Sequence, residues 1–162
     1  MLLEGSCHCK SVTFSVSSPH PYPFNLCYCE ICRKTAGGGG FAINLGAENE
    51  TLKVEGQEQL KCYQAVIKNE DSGEAEESPA QRFFCSDCGS ALWVWDPRWP
   101  ELLHPFASAI DTALPEAPEQ THLMLDFKAA WVKPDIGDKD KQFARYPDES
   151  IEQWHSRLGL KK

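Results

Sequence analysis

The sequence predicts a mainly β fold that ends in one short C-terminal helix. Three observations support this. Apolar and polar residues alternate over short runs, which is the period of a half-buried strand. Gly, Asn and Pro separate those runs and favour turns. Only one segment, near the C-terminus, carries apolar residues at helical spacing.

Ser11–Val16 opens the pattern, with Val12, Phe14 and Val16 on one face. Phe41–Leu45, Thr51–Val54 and Gln59–Lys68 follow as strands between turn residues. Gln81–Cys85 and Ala91–Trp95 read as the two arms of a hairpin around Cys85-Ser86-Asp87-Cys88. Leu103–Ile110 and Thr121–Phe127 complete the set, the latter alternating Leu123, Leu125 and Phe127 against His122, Met124 and Asp126. From about Asp148 to Leu158, Ile151, Trp154, His155 and Leu158 share one helical face. Ser150 with Gln153 has the form of a capping box, and Asp148 is an alternative cap. Asn69–Ser78, with five acidic residues, reads as a solvated hairpin tip, and Leu114–Pro118 as a Pro-rich turn.

The chain has 162 residues and a formal charge of −8. That length suits one core, so residues 1–162 are expected to form a single domain. No apolar run approaches the ~20 residues that span a bilayer. The start lacks the basic and apolar regions of a secretory signal. The acidic balance argues against nucleic acid, whose phosphates need clustered Lys and Arg. These features predict a cytoplasmic protein with no membrane and no nucleic-acid partner.

Eight cysteines stand out. Cys7-x-Cys9, Cys27-x-Cys29-x-x-Cys32 and Cys85-x-x-Cys88 hold seven of them, and Cys62 stands alone. Short spacings let neighbouring thiolates converge on one ion. Disulfides belong to oxidising compartments and to domains with too little core. Metal is therefore favoured over disulfides. Zinc suits tetrahedral thiolate sites in a reducing compartment, with an iron–sulfur centre as competitor.

Cys85-Ser86-Asp87-Cys88-Gly89 is a knuckle in which the glycine supplies a positive φ. It gives two of the four ligands a structural site needs. Cys7 and Cys9 are the natural complement, although spacing alone leaves them free to bind separately. Cys27, Cys29 and Cys32 supply three thiolates with no fourth ligand nearby in sequence. Three protein ligands with an open position is the catalytic zinc pattern, whereas closure by Cys62 or a histidine would make a second structural site. Three thiolates leave zinc with net negative charge, which favours thiol chemistry over hydrolysis. Arg33 and Lys34, with Gly38 and Gly39 inside the Gly37–Gly40 run, can hold a small anionic ligand or form plain surface and loop. His8 is expected to point away from its neighbouring ligands, and His122 to face a cleft. His20, His104 and His155 read as surface or packing residues. Trp93, Trp95, Trp99 and Trp131 read as core, with Trp95 and Trp99 alternatively walling a pocket beside the hairpin. Cys62 reads as a small buried hydrophobe.

Taken together, Gly5-Ser6-Cys7-His8-Cys9, Cys27-Tyr28-Cys29-Glu30-Ile31-Cys32-Arg33-Lys34 and Phe84-Cys85-Ser86-Asp87-Cys88-Gly89-Ser90 resemble the glutathione-dependent formaldehyde-activating enzyme (GFA) family, also called the CENP-V/GFA family. Ala109-Ile110-Asp111, and His122 with Phe127-Lys128-Ala129-Ala130-Trp131, resemble its later segments. The resemblance spans about residues 4–147. It implies an Mss4-like fold of packed β-sheets with two Zn²⁺ per chain. The structural zinc falls to Cys7, Cys9, Cys85 and Cys88, and the second zinc to Cys27, Cys29 and Cys32. It also implies a carbon–sulfur lyase that makes S-hydroxymethylglutathione from formaldehyde and glutathione. This sequence departs from the family pattern in its longer glycine run after Cys32 and in its acidic segment at 69–78.

The leading expectation is thus a zinc enzyme acting on a glutathione-like thiol and a small electrophile. Cys27, Cys29 and Cys32 would act through the metal, with Arg33 and Lys34 as anchors for the thiol's carboxylates. The alternative is a non-enzymatic module with two closed zinc sites that binds a protein partner. The charge of −8 counts neutral thiols; seven thiolates lower it by seven and two Zn²⁺ raise it by four, to −11. So acidic a protein repels an anionic thiol at long range, which makes the local cations matter.

Overall fold

The computed structural model describes residues 1–69 and 71–160, so Glu70 of the acidic segment lies outside it. Twelve strands and two short α-helices follow one another among the described residues. Strands β1 (Leu2–Ser6), β2 (Thr13–Ser17) and β6 (Lys53–Glu55) form an antiparallel sheet in the order β1-β2-β6. The largest sheet runs β5 (Ala47–Glu48), β10 (Leu102–Pro105), β9 (Ala91–Trp95), β8 (Ala75–Cys85), β7 (Leu60–Lys68). The third runs β12 (Lys141–Gln142), β11 (Gln120–Leu123), β3 (Phe24–Cys27), β4 (Ala42–Asn44), with β11 parallel to both β12 and β3. Helix α1 is Glu30–Ala36 and α2 is Ile151–Arg157. The mainly β class and the C-terminal helix thus match the sequence pattern.

The alternating face of β2 buries Phe14 and Val16 against Leu3, Leu92, Trp93 and Leu103. Phe14 meets Trp93 edge-on, with ring centroids 5.0 Å apart. Gly5 makes this approach possible. A Cβ there would lie 2.4 Å from the Phe14 ring and 2.6 Å from the Ala109 carbonyl. β1 therefore passes close enough for Gly5 to bridge to Ile110, joining the small sheet to the loop beyond β10.

Several strands end earlier than their alternation suggests, each for a local reason. Leu103–Ile110 breaks at Pro105, and a 3₁₀ turn occupies Ala107–Ala109. Thr121–Phe127 ends at Leu123 because Met124 turns left-handed, with φ 62°, into a 3₁₀ turn at Leu125–Phe127. Thr51–Val54 divides into a 3₁₀ turn, Asn49–Thr51, and β6. The acidic segment is less of a loop than expected. β8 begins at Ala75, and Glu76 and Glu77 pair with Ile67 and Val66. β1, β3 and α1 are elements that the pattern did not reveal.

Two residue-level expectations are overturned. Trp93 is buried, but Trp99 and Trp131 are 48% and 64% exposed. Both lie outside strands, and the Arg98 guanidinium stacks over the Trp99 ring at 4.9 Å. Trp95 does wall an apolar groove with Trp93, Phe83 and Leu60, whereas Trp99 is not among its lining residues. Cys62 is exposed rather than buried, because it faces outward on β7, the terminal strand of its sheet.

Helix α2 shows both halves of the expected capping box: Ser150 Oγ accepts from Gln153 N–H, and Gln153 Oε1 accepts from Ser150 N–H. Its apolar face buries Trp154 beside Tyr22. Arg157 binds Glu119, which is nearly buried just before β11, and Glu149 at 2.6 Å. The Arg157 hydrogen bond holds the Glu119 carboxyl below its usual range.

Trp154→Ala should cost about 3–5 kcal/mol of stability, as deletion of a large buried aromatic does, measured as a fall in the urea midpoint at constant slope. The Glu119 contribution has a definite sign with pH. Its folded pKa lies below the unfolded value of about 4.3, so the stabilisation is complete above that pH and is lost as the pH falls through the folded value. Arg157→Gln should therefore flatten the acid-side loss of stability, read as denaturant midpoints between about pH 3 and pH 6.

Candidate metal centres and ligand cavity

Two tight turns build the first cluster. After β1, Cys7 N–H donates to Val12 C=O and Lys10 N–H to Cys7 C=O, both at 3.0 Å, which folds the Cys7–Cys9 segment back on β2. After β8, Cys85 N–H bonds Ser90 C=O and Gly89 N–H bonds Cys85 C=O, with Gly89 at φ 72° as the knuckle requires. His8 N–H donates to Ser90 Oγ at 3.0 Å and joins the turns directly. The sulfurs of Cys7, Cys9, Cys85 and Cys88 all lie within 4.8 Å of one another.

Tetrahedral thiolates around zinc, at about 2.3 Å each, stand about 3.8 Å apart. Cys7 and Cys9 are 3.5 Å apart, and Cys9 and Cys85 3.8 Å. The donor set therefore fits such an ion. Val12 N–H points at Cys7 Sγ from 3.2 Å and offsets charge on sulfur. Burial pushes the Cys85 thiol up to about 12, while the Ser90 hydroxyl draws Cys88 down to about 5.

The second cluster joins the end of β3 to the start of α1. Cys27 closes β3, opposite Ala42 of β4 and Leu123 of β11. Cys29 caps α1, its sulfur accepting from Cys32 N–H at 3.4 Å. The three sulfurs lie within 4.8 Å of one another, and among the described residues the group stops at three. Cys27 and Cys32 are buried among Ala42, Ala80, Val94 and Phe106, and Cys29 is the more accessible sulfur. Hydrogen bonds from Cys27 and Cys32 pull the Cys29 thiol far below its usual range, and the bond to Cys29 raises Cys27. A crowded trio of thiols can shed only one proton readily, whereas a divalent cation would take all three as thiolates. Both clusters can therefore hold a metal ion.

A cavity of about 630 Å³ lies between the turns of the first cluster and the last turn of α1. Cys7, His8, Gly89 and Ser90 form one side, and the last turn of α1 with Gly37 and Gly38 forms another. Arg33 and Lys34 both line it; Gly38 does too, but Gly39 is not among its lining residues. The Arg33 Nε is buried without a hydrogen-bond partner. Lys34 pairs with Glu30 at 2.7 Å on the exposed side of α1. The three-cysteine sulfurs do not line the cavity, but Ala36 and Ala91 belong to both its wall and the packing around Cys27 and Cys32.

Sequence reasoning passed over several residues here. Lys10 and Asp111 face each other across the cavity rim at 3.4 Å, and Ser6 bonds both. Arg82 sets positive charge near Cys32, and Tyr146 lies within electrostatic reach of all three sulfurs. They arrive from β8 and from the segment after β12, so no local spacing announces them. No histidine belongs to either sulfur group among the described residues. His104 Nδ1 bonds Leu45 C=O, and His155 Nε2 bonds Tyr22 C=O. His8 is exposed and lines the cavity. His122 faces no cleft: it is fully buried, with Nδ1 2.9 Å from Tyr28 Oη and Nε2 3.5 Å from Asp140 Oδ2.

Comparison with known proteins gives the family of the chain. The family model for the glutathione-dependent formaldehyde-activating enzyme matches residues 2–125, which include all seven clustered cysteines. A protein of Halomonas elongata, carrying the name "Putative glutathione-dependent formaldehyde-activating enzyme", is 61% identical over 162 residues, covering 100% of this chain and 99% of that protein. A crystal structure of a Rhodobacter sphaeroides protein superposes with a TM-score of 0.53 at 25% identity, over 69% of this chain and 91% of that one. No helix among the described residues is long and apolar enough to cross a membrane. With its cysteine turns in the matched region and a full-length relative in the same group, this chain belongs to the glutathione-dependent formaldehyde-activating enzyme family.

Proposed function

We propose that this chain is a zinc-dependent enzyme of the carbon–sulfur lyase type, which joins a small thiol such as glutathione to the carbonyl carbon of formaldehyde or a similar electrophile. One observation carries the reading: three cysteine sulfurs lie within 4.8 Å of one another and the group stops there among the described residues. That is the ligand count of a catalytic zinc with a position left for substrate. In this reading Cys7, Cys9, Cys85 and Cys88 hold a structural zinc, and Cys27, Cys29 and Cys32 hold the second. A zinc ion there lowers the pKa of an incoming thiol and orients its sulfur.

The protein's own groups do the rest. Arg33 lines the cavity and brings its guanidinium charge to a ligand carboxylate, which matters for an anionic thiol approaching an acidic protein. Lys34 and the backbone at Gly38 line the same cavity, and Gly39 extends the glycine turn beside it. Arg82 offsets the charge of the thiolates near Cys32. In the reaction the sulfur–carbon bond forms as the carbonyl π pair moves onto oxygen. The proton lost by the thiol ends on that oxygen, so nothing else is consumed. The eight cysteines are free in the structure, which suits a reducing compartment such as the cytoplasm.

Cys29→Ser should remove one zinc per chain and abolish thiol-dependent turnover while the far-ultraviolet circular dichroism stays native; a variant with full activity sinks the proposal. Thiol labelling gives a second check. With both ions in place the exposed Cys62 should react fast and alone, and chelation should bring the count to eight.

A further inference from the structure

Tyr28 sits between two of the sulfurs of the three-cysteine centre, and its surroundings are unusual for a loop residue. Both Tyr28 and His122 are 0% exposed. The phenol ring stacks on the imidazole with an interplanar angle of 18° and meets Phe41 tilted, with centroids 5.2 Å apart. Tyr28 N–H donates to Leu123 C=O at 3.1 Å. The hydroxyl lies 2.9 Å from His122 Nδ1. The other ring nitrogen makes no hydrogen bond; the Asp140 carboxylate stands beside it, Oδ2 at 3.5 Å, as a charge. Asp140 is itself fixed, accepting from Gln120 N–H and Gly137 N–H, each at 2.8 Å.

The chemistry of the chain of contacts assigns the protons. The negative charge of the Asp140 carboxylate beside Nε2 favours the tautomer with its hydrogen there, which leaves Nδ1 as acceptor. The Tyr28 O–H then donates to Nδ1. We infer that Asp140, His122 and Tyr28 form a positioning relay that fixes the geometry of the three-sulfur centre. The reason lies in the extended backbone at Cys27-Tyr28-Cys29. Successive side chains point to opposite sides, so a Tyr28 held by backbone, ring face and hydroxyl forces Cys27 and Cys29 together onto the other side. None of the three residues touches substrate; they act through the sulfurs, as outer contacts of metal ligands do.

This inference rests on the reading that Cys27, Cys29 and Cys32 hold a metal. Full-length protein, loaded with zinc or with Co²⁺ as spectroscopic probe, tests it by graded chelator competition and by the cobalt ligand-field bands. Tyr28→Phe keeps the ring packing and removes only the hydroxyl. It should weaken the three-cysteine metal by about 10–100-fold and shift its cobalt bands, leaving the four-cysteine metal unchanged. His122→Leu should do the same, and His122→Asn, which keeps an acceptor near the Nδ1 position, should recover most of the affinity. If Tyr28→Phe retains the wild-type affinity and spectrum, Tyr28 is a packing residue and the inference is overturned. Cys29→Ser serves as the reference: if it still holds two metals, the three-cysteine assignment itself fails, a result separable from any effect at Tyr28.

Discussion

The meeting of the Cys7–Cys9 turn with the Cys85–Cys88 turn is the constraint on which the rest depends. Cys9 and Cys85 are 76 positions apart in the chain and 3.8 Å apart in space. Four sulfurs that close cannot all ionise without a cation between them, so the contact is a place where charge must be balanced. It also fixes β1 and β2 against the end of β8. The Gly5 approach to Ala109 and the Phe14–Trp93 contact lie on that same seam. The contact joins the turn after β1 to the turn after β8, which belong to two different sheets.

The second centre depends on the first through the wall between them. Ala36 and Ala91 line the cavity on one side and pack around Cys27 and Cys32 on the other. Ala91 follows the Cys85–Cys88 turn directly, and Ala36 ends the helix that Cys29 caps. Displacing the knuckle would thus move one wall of the three-cysteine centre. Three cations, Lys10, Arg33 and Lys34, line the cavity with one carboxylate, Asp111, so its lining is net positive. That lining is opposite in sign to the formal charge of −8 on the whole protein.

How much was legible followed the range of the interaction. The cysteine groups could be read because CxC and CxxC spacings are local. The capping box of α2 could be read for the same reason: Ser150 and Gln153 are three residues apart. α1 was hidden because seven residues capped by a cysteine give neither a usual N-cap nor a full amphipathic period. Trp131 and Cys62 are exposed because residue type does not by itself decide burial. Trp131 lies in irregular chain near Gly40, and Cys62 lies on the outer face of a terminal strand.

The sequence by itself determined the β class, the C-terminal helix and the three cysteine groups, since each rests on neighbours within a few residues. Tertiary structure alone decided which groups meet, that the Cys27, Cys29 and Cys32 group lacks a fourth partner among the described residues, and that Arg33 ends with a buried, unpartnered nitrogen. It also decided the fate of His122. Alternation set it opposite Leu123, but the parallel pairing of β11 with β3 places it beside Leu26 and against the Tyr28 hydroxyl. Pairing between strands nearly a hundred residues apart is a property of the packed sheet, because strand register is set by the faces each strand must bury, and no local pattern encodes it.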